Sequence, residues 1–150
     1  MSPRVYRAEV EIAAPPEAVW AVLVDLPRYA EWNPFTTEVR SSLEPGAPVD
    51  MRVRMSRWRF TLSQREVLRE RTPPEAGRGG RLVWGTTMPG IVAERVQTID
   101  ALPGGRTRYV TEDSIEGALA GLTHLLFGSS LDAGFRGVAE QLKAHVEARR

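Results

Sequence analysis

Residues 91–116 read IVAERVQTIDALPGGRTRYVTEDSIE, and this stretch decides the fold. Two runs with strand character, 91–101 and 107–116, flank Pro103-Gly104-Gly105, a turn sequence. Folding the hairpin about the two glycines sets Asp100 against Arg108 and Val96 against Glu112 on one face. The other face then carries Ile99 against Tyr109, Gln97 against Thr111 and Arg95 against Asp113. A slip of one residue would exchange the two faces, so the turn chemistry matters. Glu112 and Glu116 share parity and are expected in solvent.

Upstream, the same alternation continues. Tyr6, Ala8, Val10 and Ile12 alternate with Arg7, Glu9 and Glu11, which predicts a half-buried first strand. Pro15 and Pro16 end it, and a short helix over 17–24 follows with apolar residues at 19, 20, 22 and 23. A second short helix is predicted over 26–32 and stops at Asn33-Pro34, because proline disfavours helix in the residue before it. Asp25 is read as the cap of that second turn. Val39 marks a strand closed by Glu44-Pro45-Gly46. Val49, Met51, Val53 and Met55 form the next, and Trp58, Phe60 and Leu62 alternate beyond a hairpin turn placed near 56–58. A Pro- and Gly-rich loop over 72–80 leads to the strand of Leu82 and Trp84, and Pro89-Gly90 turns the chain into residue 91. Seven strands with short connections predict an antiparallel meander.

Downstream, Ser129 stands three residues before Asp132 in capping-box spacing, and Leu131, Phe135, Val138, Leu142 and Val146 recur at helical period. A helix over 130–148 is about 28 Å long, against about 33 Å for a ten-residue strand. One such helix can lie along a whole sheet. Strong twist curls a sheet of this size around the helix. The helix cannot fill the concave side, so an α+β domain spanning 1–150 is expected to keep a central cavity, with the two short helices at its mouth. Trp32 is placed there.

Composition narrows the chemistry. The chain has 150 residues, 20 basic against 19 acidic side chains, 42% hydrophobic residues and no cysteine. A disulfide framework, a zinc-thiolate site and a cysteine nucleophile are excluded. His124 and His145 cannot make a three-histidine metal site, and no metal-ligand spacing, Gly-rich phosphate loop or Ser-His-Asp order is present. No metal and no cofactor are expected. A net charge of +1 gives no argument for nucleic acid. No apolar run approaches the ~18 residues of a membrane span, and MSPRVYRAEV lacks a secretory apolar region. A cytoplasmic protein without stable membrane insertion is the expectation; oligomeric state is not legible. All basic residues but Lys143 are arginine, a compositional bias. Arginines 52, 54, 57, 59, 65, 69 and 71 suggest a basic strip that Glu66 and Glu70 interrupt.

The stretches Ile12-Ala-Ala-Pro-Pro-Glu-Ala-Val-Trp20, Asp25 and Tyr29-Ala-Glu-Trp-Asn-Pro-Phe35 open a longer pattern. With Arg81-Leu-Val-Trp84, Pro103-Gly-Gly-Arg-Thr107 and a strand ending at Gly117, the chain resembles polyketide cyclase/dehydrase-type members of the START-like (SRPBCC) superfamily. Birch-pollen-allergen-like proteins share that fold. The resemblance covers essentially the whole chain and implies a helix-grip fold, with a seven-stranded antiparallel sheet curled around a long C-terminal helix. Members include lipid carriers, ligand sensors, aromatase/cyclases and chaperone-activating modules, so the fold does not settle the function.

In the family pattern, the positions matching Arg95, Gln97 and Ile99 are commonly histidine, aromatic and aliphatic, and face the cavity. Carried over, this implies a more polar cavity floor, where Arg95, Gln97, Thr111 and Asp113 orient a polar group on an apolar ligand. The alternative is a salt-bridged pair that satisfies itself. Met51, Trp58, Phe60, Trp84, Tyr109 and Phe135 complete the candidate cavity set. The expected function is binding or transport of a small hydrophobic ligand, such as a lipid, polyketide or isoprenoid-like compound. A cyclase/dehydratase-type enzyme acting by positioning and general acid/base catalysis is the first alternative. A protein-interaction module, whose cavity should be filled or closed, is the second. No catalytic constellation is readable, since His124 has no partner at a readable spacing. The apolar link 118–127, whose apolar residues are flanked by Gly121 and Gly128, is read as an early, packed turn of the C-terminal helix, with a gate over the cavity as the alternative.

Overall fold

Alternation becomes strand where charged side chains can face water while their neighbours are covered. In the computed structural model, which describes residues 3–149, β1 (Arg4–Ile12) buries Tyr6, Ala8 and Ile12 and exposes Arg7, Glu9 and Glu11. Helix α1 (Pro16–Leu23) begins on proline, where the missing N–H has no intrahelical partner to lose. A 3-10 helix, Leu26–Glu31, follows. Asp25 precedes it without a side-chain cap and pairs with Arg28 instead, at 3.6 Å. Asn33 is buried, and its Oδ1 accepts the N–H groups of Phe35 (3.0 Å) and Thr36 (2.8 Å). That side chain turns the backbone into β2 (Thr36–Arg40).

The remaining strands are β3 (Pro48–Met55), β4 (Phe60–Thr72), β5 (Gly80–Met88), β6 (Ile91–Leu102) and β7 (Arg106–Glu116). Helix α2 (Ala120–Ala148) closes the order. One seven-stranded sheet results, ordered β1-β7-β6-β5-β4-β3-β2, with antiparallel neighbours throughout. Strands β2 to β7 form the expected meander, and β1 is carried across by the two short helices to pair with β7. The sheet curls into a half-barrel that grips α2, which packs most extensively on β1. In the β6–β7 hairpin, Arg95 faces Asp113, Gln97 faces Thr111 and Ile99 faces Tyr109, as the Gly-Gly turn predicts. Leu131, Phe135, Val138, Leu142 and Val146 bury one face of α2 in the core.

Three expectations need correction. Helix α2 starts at Ala120 rather than near residue 130, and Ser129 caps nothing. The neighbouring Ser130 is buried instead, and its hydroxyl accepts the Arg57 N–H at 3.0 Å. Link 118–127 thus belongs largely to the same helix, but Leu122 and Leu125 on it are exposed rather than packed. The β3–β4 turn covers residues 56–59, with Arg59 at a left-handed φ of 55°, so β4 begins at Phe60. Trp58 and Phe60 therefore stand on a tip that overhangs the core, 47% and 40% exposed. Finally, the two short helices give no residue to the cavity lining, and Trp32 beside them stacks near His145, toward the C-terminal end of α2 and away from the cavity mouth.

Candidate functional site

Between the concave sheet and α2 lies a cavity of about 220 Å³. Met51 and Val53 on β3, Trp84 on β5 and Ile115 on β7 supply apolar wall, and Phe135 on α2 covers it. Each faces inward by strand or helix period, so the wall is the same apolar set that builds the core. Into this wall three charged residues intrude: Arg95 from β6, Asp113 from β7 and Glu66 from β4.

Arg95 is 5% exposed. Its Nε donates to Thr111 Oγ1 at 3.1 Å, and one terminal nitrogen donates to Gln97 Oε1 at 3.4 Å. The same Gln97 oxygen accepts the Tyr109 hydroxyl at 2.5 Å. The guanidinium lies 4.9 Å from the Phe135 ring centroid and 5.7 Å from that of Trp84, within cation–π range of both. Both side-chain hydrogen bonds thus go to neutral oxygens. Although the register sets Arg95 opposite Asp113, the expected alternative, a self-satisfying salt bridge between them, is not among the ion pairs of the described residues.

The two carboxyls respond to burial. Asp113 is pushed up to about 7 by burial, which Arg95 partly offsets and Glu66 reinforces. Glu66 is also raised to about 7 by burial, against the pull of Arg95 and Arg69. Gln64 Nε2 donates to Glu66 Oε2 at 3.1 Å and fixes that carboxyl. A guanidinium and two carboxyls that titrate near neutrality can bind a polar group, give a proton or take one.

Of the residues expected at the site, Met51, Trp84, Arg95, Asp113 and Phe135 line the cavity. Gln97, Tyr109 and Thr111 are fully buried and hold Arg95 in place as just described. Trp58 and Phe60 lie outside the lining. Glu66 is absent from the sequence-based set, where its place among arginines marks it only as an interruption of a basic strip. Its signal was available, because it shares parity with Gln64 and Leu68 on β4, and those face inward. His124 does find a partner, the Tyr6 hydroxyl at 2.5 Å from its Nδ1, with the rings stacked 5.8 Å apart. That contact pins the start of α2 to β1. Among the described residues no group of three His, Asp or Glu side chains could hold a metal ion, and no helix is long and apolar enough to cross a membrane.

A half-barrel closed on a long helix over a charged-floored cavity defines a helix-grip cavity protein. The chain belongs to the family described as "Polyketide cyclase / dehydrase and lipid transport", whose pattern it matches over residues 4–147. Solved structures share the fold at low identity. The Zhui aromatase/cyclase from Streptomyces sp. R1128 superposes with a TM-score of 0.72 at 21% identity, covering 99% of this chain and 96% of that one. A START superfamily protein from Mycobacterium smegmatis gives 0.69 at 17% identity, covering 99% and 100%. Norcoclaurine synthase from Thalictrum flavum, a point mutant with a transition-state analogue, gives 0.70 at 11% identity, covering 99% and 98%. No curated protein matches the sequence closely.

Proposed function

We propose that the protein, one domain over 1–150 acting in the cytoplasm, binds a small and largely apolar molecule carrying one polar group. The observation that carries this reading is the cavity itself: apolar walls into which Arg95, Glu66 and Asp113 intrude, close enough to influence one another's charge. Its volume of about 220 Å³ lies below the ~300–1,000 Å³ of ordinary ligand pockets, so the buried part of the ligand is compact. The polar group meets the Arg95 guanidinium, which lies in the cavity lining. Native mass spectrometry of the purified protein should show a retained small molecule, or a naphthalene-type fluorescent probe should bind. Ala93→Phe, which adds a ring to the cavity wall, should abolish either signal. Retention or probe binding unchanged by Ala93→Phe would overturn the reading.

The second reading is a cyclase/dehydratase-type enzyme, and one observation favours it. Two carboxyls raised to about 7 flank a buried guanidinium, so one can donate a proton while the other accepts, with Arg95 facing a developing oxyanion. A β-diketone probe should then exchange its α-hydrogens with deuterium faster than in buffer, and Asp113→Asn should remove the excess rate. The raised carboxyls also affect stability. Each holds its proton more tightly folded than unfolded, so stability falls as pH rises from about 4 to about 7 and levels off above. Urea denaturation across that window should show a shallower fall for Asp113→Asn. An open cavity speaks against the interaction-module alternative.

A further inference from the structure

The cavity opens on a rim built by three segments, 55–63, 86–93 and 117–131, from which Leu62, Met88, Ile91, Thr123 and Phe127 reach the lining. In a chain with 26% charged residues, these segments are nearly bare of charge. Segments 86–93 and 117–131 contain no Asp, Glu, Lys or Arg, and 55–63 contains only Arg57 and Arg59. Every exposed large hydrophobic side chain among the described residues, except Val5 and Val67, lies in these three segments. The segments also touch one another. Trp58 Nε1 donates to the Leu126 carbonyl at 2.7 Å, the Phe60 and Phe127 rings meet edge to face at 6.3 Å, and Leu119 packs over Gly90.

A helix on a protein surface ordinarily turns polar residues outward. The first turns of α2 do not. Thr123 and Phe127 face the cavity, while Leu122, 53% exposed, and Leu125, 71% exposed, face away from it. Neither face carries an Asp, Glu, Lys or Arg. A continuous apolar rim of this kind marks an interaction surface. Its charge pattern selects the partner. The rim offers no carboxylate, and its only charges are two arginines at the hairpin tip, with the Arg57 guanidinium 5.1 Å from the Trp58 ring centroid. A protein partner is recognised by a pattern of complementary groups, whereas a bilayer needs only apolar side chains with an aromatic and cations at their margin.

We propose that this rim is a peripheral docking surface for a bilayer carrying anionic lipid. The first turns of α2 and the β3–β4 tip dip into the headgroup boundary, and Arg57 and Arg59 meet lipid phosphates. The cavity mouth then faces lipid rather than water. The inference goes beyond the cavity reading, since vesicle binding does not require any ligand to be bound inside.

The full chain should float with phosphatidylcholine vesicles containing phosphatidylglycerol, and do so more weakly when salt is raised. The double variant Leu122→Glu/Leu125→Glu should lower the bound fraction about tenfold or more. Arg57→Glu/Arg59→Glu should lower binding to the anionic vesicles and leave the weak binding to pure phosphatidylcholine unchanged. Because these side chains are exposed, circular dichroism and the thermal midpoint should match those of the unmodified protein. Absence of flotation on anionic vesicles would overturn the proposal, as would flotation indifferent to the two leucines. If light scattering instead shows a dimer that the leucine variant dissolves, and vesicles bind nothing, a second copy covers the rim and the proposal fails.

Discussion

Helix α2 is one continuous element with two unlike halves. From Leu131 onward, Leu131, Phe135, Val138, Leu142 and Val146 are buried, and Asp132, Arg136 and Glu140 face outward. Before Leu131 the outward positions carry Leu122, Leu125 and Leu126 instead. The backbone hydrogen bonding is helical in both, so the difference lies in what the side chains meet. One half holds the fold together by burial. The other spends its apolar side chains on a surface, where they add little to stability and leave the cavity mouth lined and open.

Leucine truncation tests that contrast with the largest effect. Leu142→Ala, at a position with no exposure, should cost about 2–5 kcal/mol, while Leu125→Ala should stay within about 0.5 kcal/mol. Equal losses in urea unfolding would show that the two halves are packed alike. Glycine replacement should reverse sign along the same helix. A Cβ at Gly134 would stand 2.2 Å from Phe35 Cδ1, whereas one at Gly121 meets nothing within 4 Å. Gly134→Ala should therefore destabilise by about 1–3 kcal/mol, and Gly121→Ala should stabilise by about 0.5–1 kcal/mol. Thermal unfolding of the two variants decides it. The most local effect sharpens the boundary: Trp58→Phe removes the exposed hydrogen bond to the Leu126 carbonyl, worth about 0.5 kcal/mol. Amides in 120–128 should then exchange faster, with those in 131–146 unchanged. In the unmodified protein the first set should already exchange faster; equal protection would remove the contrast.

The β6–β7 hairpin was legible to the residue because two adjacent glycines leave its turn few places to go, and parity does the rest. The start of α2 was not. Ser129 and Asp132 imitate a cap inside a running helix, and Gly121 and Gly128 look like breakers. Gly128 has a reason to be small: a Cβ there would lie 2.9 Å from Nδ1 of His124, one turn back, and 3.3 Å from the Tyr6 hydroxyl that holds that ring. No local pattern contains that contact, since Tyr6 lies on the far side of the sequence. The site divides in the same way. Arg95 and Asp113 followed from the hairpin register, and Trp84 from its strand face. Trp58 and Phe60 share the right parity but sit past the end of the core, and alternation carries no information about where a sheet stops being covered. Glu66 was hidden by its charge, because a carboxylate between arginines reads as surface until the opposite wall of the cavity is known.

The pairing of β1 with β7, which sets Tyr6 against Asp113 and Ile12 against Thr107, has a consequence for how the molecule assembles. Hairpins from β2 through β7 can zip in order as each strand leaves the ribosome, yet β1 waits with an unpaired edge until more than half of the chain has been made. Contacts this distant in sequence slow folding, and an unpaired apolar strand is open to association meanwhile. Its outward Arg7, Glu9 and Glu11 keep that waiting strand charged, and so guard the nascent chain during the interval before its partner exists.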